Sequence, residues 1–287
     1  MSAWSHALLN VLICAGLLVV MPLGLRLVAA PGVPRVRRLW LAAAGPAAVS
    51  VWLPRGWLAA VLAAAYLPAA AALAAGAGRL VLAGRPRPGT VAVATALAAP
   101  SVAASALVAE RAGHRLFGFD LDVLSLTVAH FHYAGFAAAL VAALVCDVDG
   151  DRPAGRLAAL SVPAGVAVVF VGFFTSEWVE LAGAAVLTAG MWLVGWLSLR
   201  QARAGAARRG LLATSALTLA ATMVLALAWA LGQAAGLPHP PISWMVATHG
   251  LANALGFALC ALIAWQRTAA IPRTAAPQRT GAGSQWL

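Results

Sequence analysis

Nine stretches of this chain are apolar for long enough, or nearly so, to cross a lipid bilayer. A membrane-crossing helix needs about 20 mostly apolar residues, with roughly 17–25 tolerated. The stretches fall at about 7–27, 39–54, 57–78, 90–109, 122–146, 157–175, 178–199, 211–233 and 243–266. The second is short and carries Pro46. Pro22, Pro68, Pro100 and Pro163 also lie within spans, where neighbouring groups can re-satisfy the backbone that proline frees. Hydrophobic residues make up 63% of the 287 and charged ones 9%, too few to coat a soluble domain. The fold class is therefore all-α, a polytopic transmembrane helix bundle, with residues 1–267 as one domain. Thr268 to Leu287, rich in Pro, Ser, Gly and Arg, reads as a disordered cytoplasmic tail.

The net charge of +11 comes from 19 basic and 8 acidic residues, and every basic residue is an arginine. Cytoplasmic connections carry the excess of positive charge. With nine spans and the amino end outside, 16 arginines fall on the cytoplasmic side. The outer side holds only Arg55, Arg111 and Arg115. One span more or fewer would scramble that asymmetry. The amino end is thus expected outside and the carboxyl end inside, in a bacterial-type cytoplasmic (inner) membrane. The arginine runs flank span ends and face anionic lipid, so they do not mark a nucleic-acid partner. Oligomeric state leaves no trace in the sequence.

Ionisable groups inside a bilayer are costly and serve as default site candidates. Four are prominent here: His130, Glu177, Glu180 and His249. His130, Glu180 and His249 lie in the outer half of spans that run inward from the outside, and Glu177 lies at the interface beside Glu180. At about 1.5 Å per residue, His130 is about 12 Å and His249 about 9 Å below its span start. A shared, outward-opening cavity accounts for this clustering. His249 and Asn253 lie one turn apart on a stripe continued by Gly256 and Cys260. Glu177 and Glu180, spaced i, i+3, can share a face. His130 and His132 point about 200° apart, so one faces the cavity and the other a neighbouring helix. Which is which stays open. Tyr133, Phe174, Trp178 and Thr248 complete the expected substrate-binding wall. Tryptophans 4, 40, 52, 57, 178, 244 and 265 read as interfacial belts. Glu110 with Arg111, Asp120 and Asp122 reads as a solvated outer loop. Cys14, Cys146 and Cys260 have no metal-ligand spacing.

Two resemblances attach to these residues. The segment Val128 to Tyr133 is similar to the histidine-bearing segment of haem–copper oxidase catalytic subunits, whose two histidines ligate two haems. That likeness covers six residues, and His249 is the one further histidine deep within a span, so the ligand count falls short of an oxidase. More broadly, HFHYAGF (His130 to Phe136), TSEWVE (Thr175 to Glu180) and THGLANALGF (Thr248 to Phe257) resemble the YndJ-like family of bacterial integral membrane proteins. The likeness implies a polytopic membrane protein, for which small-molecule transport is one functional expectation.

Three functions follow as expectations. The first is a membrane enzyme acting on a lipophilic small molecule by metal-independent acid–base chemistry, as in proton-initiated isoprenoid cyclisation or isomerisation. Glu177 or Glu180 would be the acid, and His130 or His249 the base. Asn253 would position the substrate or the adjacent histidine, and no cofactor is required. The second is transport. The third is a haem- or metal-binding membrane protein built on His130, His132 and His249.

Overall fold

The computed structural model describes residues 1–150, 152–201 and 205–269. Among them the chain is helical without strands and forms nine long helices. These are α1 (Ala3–Leu25), α2 (Val33–Ser50), α3 (Trp57–Leu82), α4 (Pro88–Arg111) and α5 (Leu121–Val148). They continue with α6 (Pro153–Gly172), α7 (Glu177–Arg200), α8 (Ala206–Ala235) and α9 (Ile242–Arg267). All but α2 are long and apolar enough to cross a membrane. The exception, α2, has 18 residues and places Arg35, Arg37 and Arg38 in its opening turns. Its exposed Leu39, Leu41 and Val49 nonetheless suit contact with lipid tails. The expected nine-helix order is retained. The tail expected from Thr268 falls almost wholly outside the described residues.

At the centre stands α5. From Gly135 to Cys146 every residue is buried, so this half of the helix is surrounded on all sides by protein. Glycines let α1 approach it closely. A Cβ on Gly16 would come within 3.0 Å of the His132 side chain, and one on Gly24 within 2.4 Å of Phe136. A second close contact joins α6 and α7, where Gly172 meets Glu180 and Gly183 meets Val169. Small residues serve this purpose in membranes, where packing rather than hydrophobicity drives helix association.

Three helices carry π turns: Gly16–Val20 in α1, Phe131–Ala138 in α5, and Val246–Gly250 with Asn253–Leu259 in α9. These turns pack against one another in the middle of the bundle. In α1 the cause is local. Pro22 has no N–H to offer the carbonyl of Leu18, and a widened turn absorbs the mismatch. No proline lies in the π turns of α5 or α9. Wide turns of this kind recur at functional sites.

At the outer end, the expected solvated loop is corrected in part. Glu110 is 1% exposed and Arg111 6% exposed. Arg55 Nε donates to Glu110 Oε1 at 2.8 Å, and Arg111 pairs with the same carboxylate. Arg111 Nη1 also reaches the carbonyls of Ser50, Val51 and Leu53 at 3.2–3.3 Å. Those groups end α2, where a helix leaves its last carbonyls unpaired. Burial follows because Arg111 caps a neighbouring helix, and Glu110 neutralises it. Asp122 pairs with His6 of α1 at 2.8 Å, while Arg115 and Asp120 form an exposed pair.

Two of the expected interfacial tryptophans are also corrected. Trp40 is wholly buried, donating from Nε1 to the Leu17 carbonyl at 2.7 Å, and Trp265 is 3% exposed. Trp4, Trp52, Trp57, Trp178 and Trp244 are exposed.

Replacing Glu110 with Ala would strand a buried guanidinium. We expect a loss of about 3–5 kcal/mol, read as a lowered unfolding temperature of the detergent-purified protein. Orientation has its own test in a cysteine-free background. His114→Cys should react with a membrane-impermeant thiol reagent in intact cells, and Gly84→Cys only after permeabilisation.

Candidate functional site

The histidines on α5 divide as their spacing requires. His132 is 0% exposed. Its Nδ1 lies 2.8 Å from the Val128 carbonyl, which can only accept, so Nδ1 carries the proton. In the neutral ring Nε2 then holds a lone pair, and the Tyr66 hydroxyl donates to it across 3.1 Å. The two rings stack at 5.9 Å, and Trp40 meets Tyr66 edge-on at 5.4 Å. Tyr66 is set there by the short break between Trp57–Ala64 and Leu67–Leu82, just before Pro68. With both nitrogens engaged by protein, His132 has none to offer a haem or metal ion.

His130 is the opposite case. It is exposed although Val128, Ala129, His132 and Tyr133 around it are buried. It also lies deep in protein, close enough to His249 of α9 for the two imidazoles to interact electrostatically. His130 is thus an accessible side chain on α5 in the neighbourhood of His249 of α9.

His249 is held from behind. Its Nδ1 faces the Thr222 carbonyl of α8 at 2.9 Å, so in the neutral ring Nδ1 is the donor and Nε2 keeps its lone pair. Asn253 Nδ2 donates to the His249 carbonyl at 2.8 Å, and its Oδ1 lies 3.1 Å from the Thr222 hydroxyl. The stripe read from helical spacing thus becomes a small network joining α8 to α9. The adjacent π turns loosen the regular backbone ladder, in which a carbonyl is otherwise occupied by the amide four residues on.

The remaining candidates lie elsewhere. Glu177 and Glu180 occupy the first turn of α7 behind the N-cap Ser176. Glu177 is exposed, while Glu180 is half-buried against Gly172. Among the described residues, neither carboxylate is hydrogen-bonded or ion-paired to a histidine. Phe174 belongs to a ring cluster with Phe119 and Phe170, which passes through Phe170 to Phe131 beside His130. Trp178 is 60% exposed. The Tyr133 hydroxyl donates to the Leu12 carbonyl at 2.8 Å, and Thr248 Oγ1 donates to Trp244 of its own helix. The structure therefore joins His249 and Asn253 through Thr222 with His130 nearby, and leaves the glutamate pair at the outer rim.

Sequence reasoning missed Tyr66, Trp40 and Thr222. Thr222 had a signal: Thr214, Thr218 and Thr222 repeat at intervals of four along an apolar helix. Tyr66 is one of only two tyrosines in the chain and lies mid-span.

The family model described as YndJ-like protein matches residues 11–257. The match takes in the amino half, where the sequence motifs alone were generic. No curated protein and no solved structure matches the chain.

The sealed and open histidines should respond differently to substitution. Tyr66→Phe leaves His132 Nε2 without its donor in a dry interior, and we expect a cost of about 1–3 kcal/mol in thermal or denaturant unfolding. His130→Ala removes no hydrogen bond among the described residues and should leave the unfolding midpoint nearly unchanged.

Proposed function

We propose, for a chain that belongs to the YndJ-like family, an enzyme of a bacterial cytoplasmic membrane that moves a proton on a lipophilic substrate. The observation that carries this reading is the His249 imidazole. Its Nδ1 is tied to the Thr222 carbonyl, its Nε2 lone pair has no hydrogen-bond donor among the described residues, and an exposed His130 stands nearby. An imidazole fixed in one tautomer is a ready general base, a role often worth 10²–10⁴ in rate. His130 is the partner that holds or returns the proton. Asn253 and Thr222 fix the base and do not touch the substrate.

Two of the expected chemistries separate on this geometry. Starting a cyclisation by protonating an alkene calls for a strong acid, and neither Glu177 nor Glu180 is joined to the histidines. Removing an activated C–H proton and returning it at another carbon calls for a base and its conjugate acid, which two imidazoles supply. Isomerisation of an unsaturated, isoprenoid-like lipid is the favoured reaction. The proton lost at one carbon is regained at another, so the step balances without an oxidant, reductant or cofactor. His130 is exposed part-way along an apolar spanning helix, which suits a substrate arriving from the lipid phase.

The test is deuterium incorporation. Purified protein in liposomes made from a bacterial total lipid extract, incubated in D₂O, should yield a lipid species heavier by one deuterium. We expect His249→Ala to slow that uptake by about a hundredfold or more, with His130→Ala impaired as well. No species gaining deuterium above an empty-liposome control would overturn the proposal. Flux of an unchanged small molecule across the same liposomes would establish transport in its place.

A further inference from the structure

We propose a phosphate-binding site at the arginine-rich end of the bundle, between the start of α8 and the end of α9. Its centre is Arg208, 8% exposed, with its guanidinium carbon 5.7 Å above the ring of Trp265. Arg208 Nη1 is hydrogen-bonded to the carbonyl of Gln201, at the end of α7. Arg208 Nε and Trp265 Nε1 are buried and have no hydrogen-bond partner among the described residues. Two orphaned N–H donors on adjacent side chains, one of them charged, are costly to bury. They also share one need, which is an acceptor with negative charge.

A third feature points to the same ligand. The N-cap of α8 is Gly205, which makes no side-chain cap. The N-cap residue therefore satisfies none of the first amides of this 30-residue helix with a side chain, at the end where the helix dipole favours an anion and Arg208 sits. A guanidinium edge, an indole N–H and uncapped helix amides together match the tetrahedral oxygens of a phosphate group. Basic pockets between helices on the cytoplasmic side are where phospholipid headgroups are held. A phosphodiester headgroup and free phosphate share this chemistry, and the lipid is favoured because the site lies at a membrane face. This assignment is independent of the histidine site, which lies toward the opposite end of α9.

The test uses the full chain in detergent and native mass spectrometry. Dioleoylphosphatidylglycerol is titrated against phosphate-free dioleoylglycerol, and inorganic phosphate against chloride. Trp265→Phe keeps an aromatic side chain while removing the indole N–H with its five-membered ring; it should weaken phosphatidylglycerol binding about tenfold, the effect of one charge-assisted hydrogen bond. Arg208→Gln should abolish the retained adduct. Arg267→Gln, which removes an exposed charge on the same face, should leave it intact. Phosphate binding that depends on Arg208 and Trp265, without lipid binding, would support the site with free phosphate as its ligand. Binding that ignores Trp265→Phe and Arg208→Gln, or falls equally with Arg267→Gln, would overturn the proposal. So would retention of dioleoylglycerol as firmly as the phospholipid.

Discussion

Lipid offers no hydrogen bonds, so each polar group that a spanning helix buries must be met from within the protein. The contact between His132 and Tyr66 satisfies that demand at the centre of the bundle. The His132 ring bonds its own helix through Nδ1 and α3 through Nε2. Gly16 leaves room for it on the side of α1, and Trp40 of α2 closes over Tyr66 while bonding the Leu17 carbonyl. Four helices are thereby keyed to one imidazole. The register of α5 fixed in this way also decides where His130 points, two residues back and on a different side.

Much of the architecture was legible because membranes simplify the problem. Span length and arginine placement gave nine helices, and the structure has nine among its described residues. The spacing of His130 and His132 foretold that they would diverge. Which one was sealed depended on Tyr66 and Trp40, and no local pattern links positions 40, 66 and 132. The same limit explains the misreading of Trp40 and Trp265 as interfacial. Sequence gives depth along a helix far better than azimuth around it. Glu110 and Arg111 looked like loop residues because they end a span, yet their partners lie some 55–61 positions earlier in the chain. The π turns of α5 and α9 were invisible, as no proline or other local break accounts for them.

Those π turns also connect the fold to the candidate site. A widened turn shifts the face that a helix presents and unsettles its carbonyl ladder. In α9 the result is local and specific: Asn253 bonds the backbone of His249, while Thr222 of α8 holds the imidazole. The family match covers both histidine-bearing helices. The glutamates of TSEWVE belong to a separate assembly, the tight α6–α7 hairpin. Membership of one family and one leaflet half does not make residues members of one site.

The cap that Arg111 places on α2 has a consequence for biogenesis. Its acceptors, Ser50, Val51 and Leu53, leave the ribosome about sixty residues before Arg111 does. Until α4 is made, α2 has no such partner for its final carbonyls, and Arg55 has no carboxylate. The first α2–α3 hairpin is thus an incomplete insertion intermediate, finished only by the helix that follows. Truncation before Arg111 removes a structural part of a segment already delivered to the membrane.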